Sequence, residues 1–379
     1  MIRGSKNVLN HLTLFLKTIF NFSAGEVLFI AAGVGDSAFY RAYNQSEELN
    51  LHGIKSSVTL QDNPFLVKRA DKFKIFIFHR TLFTPALGEF ISRIKERKKE
   101  IIFETDDLVF DAGYIQAADL YKNKMNAAEK TQYKNGIGAE ILKDSYAKVC
   151  VTTTAYLGEI LKGCGKKVFV SRNKISNREL EIADDILKNI PKEKDGYIRI
   201  GYFSGTASHN KDFAYIIPAI AVILEKYPKT KLYLAGPLDI ENQLDIYKSR
   251  IIILPFVPRE RYYENLWKVD INLAPLVPND PFCEAKSEIK FIEPGILGIP
   301  TVAIKNGTFS GVMADGVNGF LAENKEEWVE KIGYLIENAE LRKKIGQNAR
   351  EKVLRDYTNK NSHNEEFYEY LRNRIKAIK

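Results

Sequence analysis

Short apolar runs alternate with helical patterns along the whole chain. The runs predicted to be strands are 27–30, 75–78, 101–103, 149–151, 168–170, 198–202, 232–234, 251–253, 271–273 and 301–304. Continuous apolar runs of this length are typical of strands buried on both faces of a parallel sheet. Segments between them, such as 85–99, 212–226 and 259–268, carry helical patterns. Repeated strand–helix units predict an α/β fold with doubly wound parallel sheets.

The chain is too long for one hydrophobic core, so two Rossmann-like domains are predicted. It has 379 residues, whereas single cores stop growing at roughly 250–300 residues. The strand–helix alternation lapses between about Asn177 and Gly196, which we interpret as the connection between the domains. The predicted boundaries are 1–23 for an N-terminal covering segment, 24–176 for the first domain, 177–196 for the linker, 197–355 for the second domain and 356–379 for a helical tail.

Composition and charge narrow the class of partner. The formal net charge is +8 at pH 7, which favours anionic partners such as nucleotides or phospholipid surfaces. The lysines are scattered and no zinc-finger or aromatic RNA-binding signature is present, so a nucleic-acid partner is not expected. Three cysteines without a CxxC pair and five histidines without an HExxH arrangement predict a reducing, cytoplasmic compartment and no protein-held metal.

The first residues leave two interpretations open. Residues 9–22 are rich in Leu, Phe and Ile and have Arg3, Lys6 and Lys17 around them. A helix that covers the first domain's core is the favoured interpretation. A basic amphipathic helix on the anionic inner face of a membrane is the other. Lys17 interrupts the apolar run and no cleavage motif follows, so a signal peptide is not expected.

The segment 282–302 carries the most informative chemistry. A loop is followed by a predicted helix on which Ser287, Lys290 and Glu293 are spaced at i, i+3 and i+6. This spacing would put all three on one broad helical face near the first turn. A hydroxyl, an ammonium and a carboxylate there suit a nucleotide sugar, with the diphosphate at the helix end and the ribose hydroxyls on the carboxylate. The other interpretation is an ordinary amphipathic helix with a solvated Lys–Glu pair.

A small-residue turn follows the first strand of the second domain. It contains Gly205, Thr206 and Lys211, and small residues let backbone N–H groups approach a phosphate that the lysine can neutralise. The Walker pattern is absent. The other interpretation is a polar loop in which Asp212 caps the next helix.

The first strand of the N-terminal domain ends in a glycine turn at Gly33 and Gly35. The turn resembles a dinucleotide fingerprint without its third glycine, so NAD binding by a dehydrogenase is only weakly indicated. A turn that leaves room for a substrate is the better interpretation.

Polar side chains follow two other strands of the same domain. Asp106 and Asp107 come after the strand 101–103, where carboxylates can bind a metal, act as a base or cap a helix. They do not form a DxD motif, so no metal is expected. His79 and Arg80 follow another strand. Strand ends of this kind line ligand crevices in doubly wound sheets.

Together these motifs resemble the GT-B glycosyltransferases, specifically the retaining family-4 type that uses nucleotide-sugar donors. The resemblance extends from about residue 25 to 357. The segments that carry it in the second domain are 205–212, 232–239, 256–276, 285–303 and 315–322, and those in the first are 149–161 and 168–175. The segments 103–111 and 38–49, the second of which includes Arg41, resemble a subgroup that acts on rhamnan, capsule or O-antigen chains.

The resemblance implies two Rossmann-like domains that face a cleft, a donor linked to UDP, GDP or dTDP, no further cofactor, and a glycan or lipid-linked acceptor. Implied catalytic residues are Lys211, Lys290 and Asp106. Implied donor-binding residues are Gly205, Thr206, Lys211, Ser287, Glu288, Lys290 and Glu293, with Glu293 on the ribose. Implied acceptor-side residues are Gly33, Gly35, Arg41, His79, Arg80 and Asp107.

Three departures from the family pattern stand out. Ala285 occupies the position of the family's first glutamate, with Glu284 and Glu288 nearby, and Thr105–Asp106 replaces the N-domain histidine. Pro294 follows Glu293 where alanine is common in the family, so a kink in the helix is expected there. A nucleotide-sugar epimerase or hydrolase on the same scaffold, and a non-catalytic partner subunit, are therefore the alternatives to a transferase.

Overall fold

A computed structural model of the chain describes residues 24–117, 127–193, 195–205, 210–236, 238, 242–255 and 257–378, and divides into two compact units. Unit 1 comprises the described residues up to Ser176 together with Ala285–Ser287 and the segment from Ser362 onward. Unit 2 comprises Asn177–Glu284 and Glu288–Asn361. The predictions for the segment 1–23 and for Thr206 concern positions outside the described residues.

Unit 1 is built on a parallel six-stranded sheet with the strand order β2-β1-β3-β4-β5-β6. Its strands are β1 (Val27–Ala31), β2 (Ser56–Leu60), β3 (Ile75–His79), β4 (Glu100–Thr105), β5 (Val149–Thr152) and β6 (Lys167–Val170). Its first helices are α1 (Asp36–Ala38), α2 (Gln45–Leu51), α3 (Pro85–Glu96), α4 (Ala112–Ala117), α5 (Ala127–Tyr133), α6 (Ala139–Lys143) and α7 (Ala155–Gly163), with a π-helix at Phe39–Asn44 and 3₁₀ turns at Val67–Asp71 and Leu108–Phe110.

The sheet register of unit 1 aligns the carboxyl ends of three neighbouring strands. Ala31 at the end of β1 pairs with His79 at the end of β3. His79 in turn pairs with Glu104 near the end of β4. Because the strand order reverses between β1 and β3, this edge is the topological switch point of the sheet, where doubly wound folds bind ligands.

Unit 2 is built on a second parallel six-stranded sheet with the order β12-β11-β10-β7-β8-β9. Its strands are β7 (Ile198–Phe203), β8 (Thr230–Ala235), β9 (Ile251–Leu254), β10 (Ile271–Ala274), β11 (Thr301–Ile304) and β12 (Phe320–Ala322). This is the strand order of a Rossmann fold, and its switch point lies between β7 and β10.

Helices flank the sheet of unit 2. They are α8 (Asn177–Asn189), α9 (Asn210–Lys226), α10 (Arg259–Trp267), α11 (Pro281–Glu284), α12 (Ile289–Ile296), α13 (Gly307–Ser310), α14 (Lys325–Glu337) and α15 (Ala339–Asp356), with a 3₁₀ helix at Asn242–Arg250. Helix α15 closely approaches the turn after α12: a Cβ at Gly346 would lie 2.0 Å from the Gly298 carbonyl oxygen, so only glycine fits there. Across the part of the chain that the structure describes, no helix is long and apolar enough to span a membrane.

Side-chain caps set the starts of several helices. The hydroxyls of Thr84 and Thr154 accept from backbone N–H groups in the first turns of α3 and α7. The amide oxygens of Asn324 and Asn338 do the same for α14 and α15. Each such cap satisfies one of the N–H groups that a helix leaves without an intrahelical partner.

The predicted α/β class with two doubly wound parallel sheets is confirmed, and every predicted apolar run lies in a strand. Strands β2 and β12 were not predicted. Both are edge strands; β2 has the polar sequence SSVTL, and β12 is an apolar run of only three residues, FLA. The prediction that Ser287 shares a helix with Lys290 and Glu293 is wrong, because α12 begins at Ile289.

The C-terminal helix α16 (Glu365–Ala377) completes the core of unit 1. Phe367, Tyr368, Leu371 and Ile375 are buried in the same apolar cluster as residues of β1, β2 and β3. Unit 1 therefore takes part of its hydrophobic core from the end of the chain.

A buried ionic cluster attaches this C-terminal segment to unit 1. The Glu48 carboxylate accepts from Lys174 Nζ at 3.0 Å, from Ser362 Oγ at 2.7 Å and from the Tyr368 hydroxyl. All four side chains are buried. Burial and the neighbouring Glu48 carboxylate raise the pKa of the Tyr368 hydroxyl, which stays protonated as a donor.

Glu48→Gln is expected to destabilise the protein by about 3 kcal/mol, because the Lys174 ammonium would remain buried without an anionic partner. Tyr368→Phe, which removes the hydroxyl that contacts both Glu48 and Ser362, is expected to cost about 1–2 kcal/mol. Urea unfolding at pH 7 measures both values. Glu369→Gln, at an exposed position on α16, is the matched control and should stay within about 0.5 kcal/mol of wild type. A Glu48→Gln value inside that range would contradict the assigned role.

Candidate functional site

The switch point of unit 1 holds a series of charged side chains of alternating sign. His79 Nδ1 contacts the Glu104 carboxylate, and Arg41 Nε donates to the same carboxylate at 2.6 Å. On its other side, His79 Nε2 lies 2.8 Å from Ser37 Oγ. Arg41 and Glu104 are fully buried and His79 is nearly so. Charges buried this deeply persist only when they are paired, and here each has a partner of opposite sign.

The series continues from Ser37 to the carboxylates that follow β4. Ser37 Oγ donates to Asp106 Oδ2 at 2.9 Å, and Arg80 Nε donates to Asp106 Oδ1 at 2.6 Å. Arg80 also lies 3.5 Å from Asp107. Lys286 Nζ, in the short segment that belongs to unit 1, donates to Asp107 Oδ2 at 2.8 Å.

Two backbone irregularities lie in this cluster. Arg41 is part of the π-helix Phe39–Asn44, and π-helical turns occur frequently at functional sites. Arg80 has a φ of 47°, in the left-handed region that is unfavourable for a residue with a side chain. Both irregularities position a guanidinium group against a carboxylate of the cluster.

The hydrogen bonds define where the protons of the cluster lie. Burial raises the pKa of Asp106, but the charges of Arg80, His79 and Arg41 and the Ser37 hydrogen bond outweigh it, so that the pKa lies far below its usual value. The ionised Asp106 can only accept hydrogen bonds, so the single hydroxyl proton of Ser37 is used in the hydrogen bond to Asp106. The Ser37 oxygen then accepts from His79 Nε2, and Nδ1 faces the Glu104 carboxylate.

This proton arrangement has a chemical consequence for Ser37 and Asp106. In a serine hydrolase the serine hydroxyl donates its hydrogen bond to the histidine that will take the proton. The Ser37 hydroxyl instead donates its hydrogen bond to a carboxylate. Ser37 is therefore not poised as a nucleophile. Asp106, with its lowered pKa, is a poor proton acceptor at neutral pH but a well-oriented hydrogen-bond acceptor.

Ser287 lies in unit 1, not on α12. Its hydroxyl accepts from Asn173 Nδ2 at 2.8 Å. Asn173 also accepts from Arg41 at 2.9 Å, so Ser287 is linked to the charged cluster through one side chain. Ala285 of the same segment is fully buried.

In unit 2, Lys290 reaches the carboxyl end of β7. Its ammonium group donates to the Phe203 carbonyl and lies 5.0 Å from the centre of the Tyr202 ring. The Asn272 side chain on β10 donates to the Lys290 carbonyl at 2.8 Å, which anchors the start of α12 to the sheet. Lys290 therefore lies where β7 and β10 meet, at the switch point of this sheet.

One turn further along α12, the Glu293 carboxylate is held at both oxygens. The Tyr262 hydroxyl donates to Oε2 at 2.9 Å, and Arg259 NH1 lies 3.4 Å from Oε1. Arg259 is closer to Glu179, at 3.0 Å, and Tyr263 also donates to Glu179, at 2.9 Å. The rings of Tyr262 and Phe203 meet edge to face at 5.9 Å, which links this cluster to the end of β7.

The loop after β7 contains the other predicted donor-side residues. Gly205 is exposed, and no atom lies within 4 Å of the place that a Cβ would take. Lys211 is exposed in the first turn of α9. Asp212 is not the residue that precedes α9, because the helix begins at Asn210; its carboxylate accepts from the Val277 N–H at 3.2 Å and from the Cys283 thiol at 3.3 Å. Burial and Asp212 raise the pKa of Cys283, which excludes a thiolate nucleophile there.

The carboxyl ends of β7 and β8 are in direct backbone contact. Gly236 follows β8 with a φ of 101°, and a Cβ at this position would lie 2.0 Å from the Ser204 carbonyl oxygen.

Glu288, another predicted donor-side residue, is buried and immediately precedes the first turn of α12.

Of the predicted acceptor-side and catalytic residues, the structure brings together five within unit 1: Arg41, His79, Arg80, Asp106 and Asp107. The predicted Gly33 and Gly35 lie just before Ser37, which connects His79 with Asp106. Within unit 2 it brings together Lys290 and Glu293. Sequence reasoning missed the linking residues Ser37, Glu104, Arg259 and Glu179. Glu104 had a detectable signal, since it is a charged residue that extends an apolar strand. In the parts of the chain that the structure describes, no group of three His, Cys, Asp or Glu residues could hold a metal ion.

Residues 185–352 match the family model described as glycosyl transferases group 1. The match contains all of β7–β12 and both Lys290 and Glu293. The matched residues lie almost entirely in unit 2, and the prediction of a glycosyltransferase is confirmed. No curated protein matches the chain in sequence.

Three solved structures share the fold over nearly the whole chain. HepE from Anabaena, in complex with UDP, is 14% identical, with a TM-score of 0.61 over 92% of this chain and 100% of its own. Sucrose-phosphate synthase from Thermosynechococcus elongatus is 12% identical, with a TM-score of 0.61 over 93% of this chain and 100% of its own. A glycosyltransferase from Rickettsia africae is 13% identical, with a TM-score of 0.62 over 94% of this chain and 100% of its own. The predicted GT-B fold is confirmed.

The lowered pKa of Asp106 predicts a pH-dependent contribution to stability. The unfolded chain takes up a proton at this carboxyl near its ordinary pKa of about 3.9, while the folded chain keeps it ionised to lower pH. The stabilisation is thus fully present above that value and is lost as the pH falls towards the folded pKa. The difference in unfolding free energy between wild type and Asp106→Asn should be constant from about pH 7 to 5 and shrink towards pH 3.

Urea unfolding across this pH range measures the difference. Asp62→Asn is the control, because Asp62 is exposed, and its difference from wild type should stay near zero throughout. A wild-type advantage over Asp106→Asn that grows on acidification would contradict the assigned ion pairs.

Proposed function

We propose that this protein is a retaining glycosyltransferase. It transfers a hexosyl or deoxyhexosyl group from a nucleoside-diphosphate sugar to a hydroxyl of a glycan or lipid-linked acceptor in surface polysaccharide synthesis. The observation that carries the proposal is the cluster of Lys290 and Glu293 beside the end of β7, inside the segment that matches the group 1 family. An ammonium at a switch point suits a diphosphate, and a carboxylate one turn away suits a ribose diol.

Donor binding in this proposal uses the loop after β7 and the start of α12. Lys211 and Lys290 neutralise the diphosphate, Gly205 and Thr206 let it approach the backbone, and Glu293 accepts from the ribose hydroxyls. Ser287 and Glu288 contact the phosphates and the transferred sugar. HepE, which shares the fold, was solved with UDP, so UDP is the first nucleotide to test among UDP, GDP and dTDP.

The chemistry needs no protein nucleophile. The acceptor oxygen forms a bond to the anomeric carbon on the face from which the diphosphate leaves, the carbon–phosphate oxygen bond breaks, and the acceptor proton passes to the departing phosphate. The two lysines stabilise the negative charge that develops on that phosphate. The anomeric carbon then has the same configuration in the product as in the donor.

Unit 1 supplies the acceptor-side groups in the proposal: Gly33, Gly35, Arg41, His79, Arg80 and Asp107. Asp106 orients the acceptor hydroxyl by accepting its hydrogen bond, a role that its lowered pKa favours over proton abstraction. Ser37, His79 and Arg80 hold that carboxylate in place. If a lipid-linked acceptor is the substrate, the basic N-terminal segment would bring the enzyme to the cytoplasmic face of the membrane.

A thermal-shift panel of UDP, GDP, dTDP, ADP and CMP and their sugars tests the donor site. A nucleotide at a hundred times its Kd stabilises the folded protein by about 2.7 kcal/mol, which raises the Tm by several degrees. Glu293→Gln should weaken the shift because the ribose loses a charged acceptor. Gly205→Ala should keep the wild-type Tm without ligand, since a Cβ there meets no atom, yet lose part of the shift if a diphosphate approaches this backbone.

The contrary outcomes separate the alternatives. If no nucleotide shifts folded wild type at millimolar concentration, the donor site is wrongly assigned and a non-catalytic partner subunit becomes the better interpretation. If a nucleotide sugar is consumed without any acceptor, the epimerase or hydrolase interpretation is favoured over the transferase. Release of the nucleoside diphosphate that depends on an added glycan acceptor is the result that the proposal predicts.

A further inference from the structure

Lysines line the amino edge of the sheet of unit 1. Every strand of this sheet except β1 is directly preceded by a lysine. In unit 2, by contrast, β8 and β9 are the only described strands that directly follow a basic residue. Because neighbouring strands lie about 4.8 Å apart, these lysines extend over roughly 24 Å from β2 to β6. They form what we name the lysine row: Lys55, Lys74, Lys99, Lys148 and Lys166.

None of the five lysines forms an ion pair with a described residue. Lys74 Nζ donates to a backbone carbonyl of α16 at 2.9 Å, and Lys99 Nζ donates to one in the 3₁₀ turn Val67–Asp71 at 2.6 Å. Lys166 Nζ donates to two backbone carbonyls, at 3.0 and 2.6 Å. Lys55 and Lys148 are exposed. A carbonyl oxygen orients an ammonium group without neutralising it, so the charge of the row remains available to an external anion.

Two basic segments flank the middle of the lysine row. Residues 68–74 contain four basic side chains and one acidic one, and residues 93–99 contain five and one. Their formal charges are therefore +3 and +4, whereas the whole chain has +8. Burial, together with the charges of Arg97 and Lys74, lowers the pKa of Lys99 despite the nearby Asp71. The positive charges of this surface thus repel one another, and an external anion would relieve the repulsion.

The helix macrodipole does not account for this distribution of charge. A dipole favours basic residues in the last turn of a helix, and Arg93 and Lys95 in α3 are in such positions. The effect falls off beyond that turn. Three members of the lysine row lie three to five residues beyond the preceding helix, at Lys55, Lys148 and Lys166.

Lys98 carries its charge at a position that ordinarily takes glycine. It lies just after α3 with a φ of 53°, the left-handed conformation in which many helices end on glycine. A residue with a side chain is strained there. The Lys98 side chain is exposed next to Lys99 of the lysine row. The strained position therefore adds one more exposed ammonium group to the same surface.

The form of the charge fits a lipid surface better than a nucleic acid. The exposed basic side chains of the two segments are lysines, whose compact ammonium groups suit the diffuse negative potential of anionic headgroups. The guanidinium groups of Arg93 and Arg97 are turned towards Asp71. Single-stranded nucleic acids are held on exposed aromatic rings, and the aromatic residue of these segments, Phe73, is 1% exposed.

We propose that the lysine row and its two flanking segments bind the surface of an anionic phospholipid bilayer. The carboxyl edge of the same sheet, with His79 and Asp106, would then lie roughly 17–20 Å from the headgroups, which is the length of β3 and β4. The candidate site of unit 1 would stay open while the protein is bound. The inference does not depend on the donor site, and its residues are other than those of the N-terminal segment.

Co-sedimentation of the full chain with vesicles of phosphatidylcholine and about 30% phosphatidylglycerol measures the partition coefficient. Wild type should bind these vesicles, should not bind pure phosphatidylcholine, and should be released as the salt concentration rises from about 0.05 to 0.5 M. The triple variant Lys72→Gln/Lys98→Gln/Lys148→Gln removes three exposed charges. Its partition coefficient should fall on the order of 30–100-fold, because each lysine near an anionic surface contributes a factor of about five.

Lys325→Gln/Lys343→Gln/Lys344→Gln is the matched control. It removes the same charge from exposed lysines of unit 2 and leaves the N-terminal segment intact, so its partition coefficient should stay within about threefold of wild type.

Lys98→Gly separates loss of charge from loss of folding, because glycine relieves the left-handed strain while it removes the ammonium group. Its Tm should equal or exceed that of wild type, while its partition coefficient falls about fivefold.

Three results would overturn the inference. One is that wild type does not bind anionic vesicles at low salt. Another is that the two triple variants lose binding equally, since the charge of the whole chain or the N-terminal segment would then cause it. The third is that the first triple loses binding to poly(U) RNA but keeps its binding to vesicles. The nucleotide-induced thermal shift should be the same in wild type and both triples, so a failure here leaves the proposed function standing.

Discussion

A charge that is buried at the carboxyl edge of a parallel sheet must be paired, and this constraint organises both units. In unit 1, Glu104 is buried between Arg41 and His79, and the pairing extends through Ser37 to Asp106. In unit 2, one guanidinium serves the buried carboxylates Glu179 and Glu293. An isolated charge at such a depth would cost several kcal/mol, so each carboxylate is held by donors from neighbouring elements.

Pairing of this kind fixes the direction of polar groups at the edge of the sheet before a ligand arrives. Fixed groups do not have to reorganise when charge develops on a substrate, and this is the main source of electrostatic catalysis. The irregular backbone at Arg80 and the π-helix that carries Arg41 are local costs that the cluster offsets. Both sites lie at the switch points that the strand orders create.

The sequence was sufficient for the parts of the fold that follow from local patterns. Among the strands that the structure describes, continuous apolar runs predicted all except β2 and β12. Strand β2 was not predicted from the sequence because an edge strand need not be apolar on both faces. The predicted start of α12, at Ser287, is two residues too early. Ser287 lies before the helix and belongs to unit 1.

The candidate site residues at the strand ends could be predicted from the sequence, whereas the residues that connect them could not. His79, Arg80, Asp106 and Asp107 follow strands directly, so sheet geometry alone brings them to one edge. The links depend on contacts between residues that are far apart in sequence, such as Ser37 with Asp106 across 69 positions. No local pattern encodes such a contact, and the same holds for the sharing of Arg259 by Glu179 and Glu293.

Hydrogen–deuterium exchange with and without saturating nucleotide is the most direct test of the central claim that the switch point of unit 2 is the donor site. If this claim holds, exchange slows in the loop after β7, around Ser204 and Gly205, and in the first turn of α12. Exchange in the edge strand β9 should be unchanged. Nucleotide binding that leaves both the loop after β7 and the start of α12 unprotected, with protection elsewhere, would contradict the account.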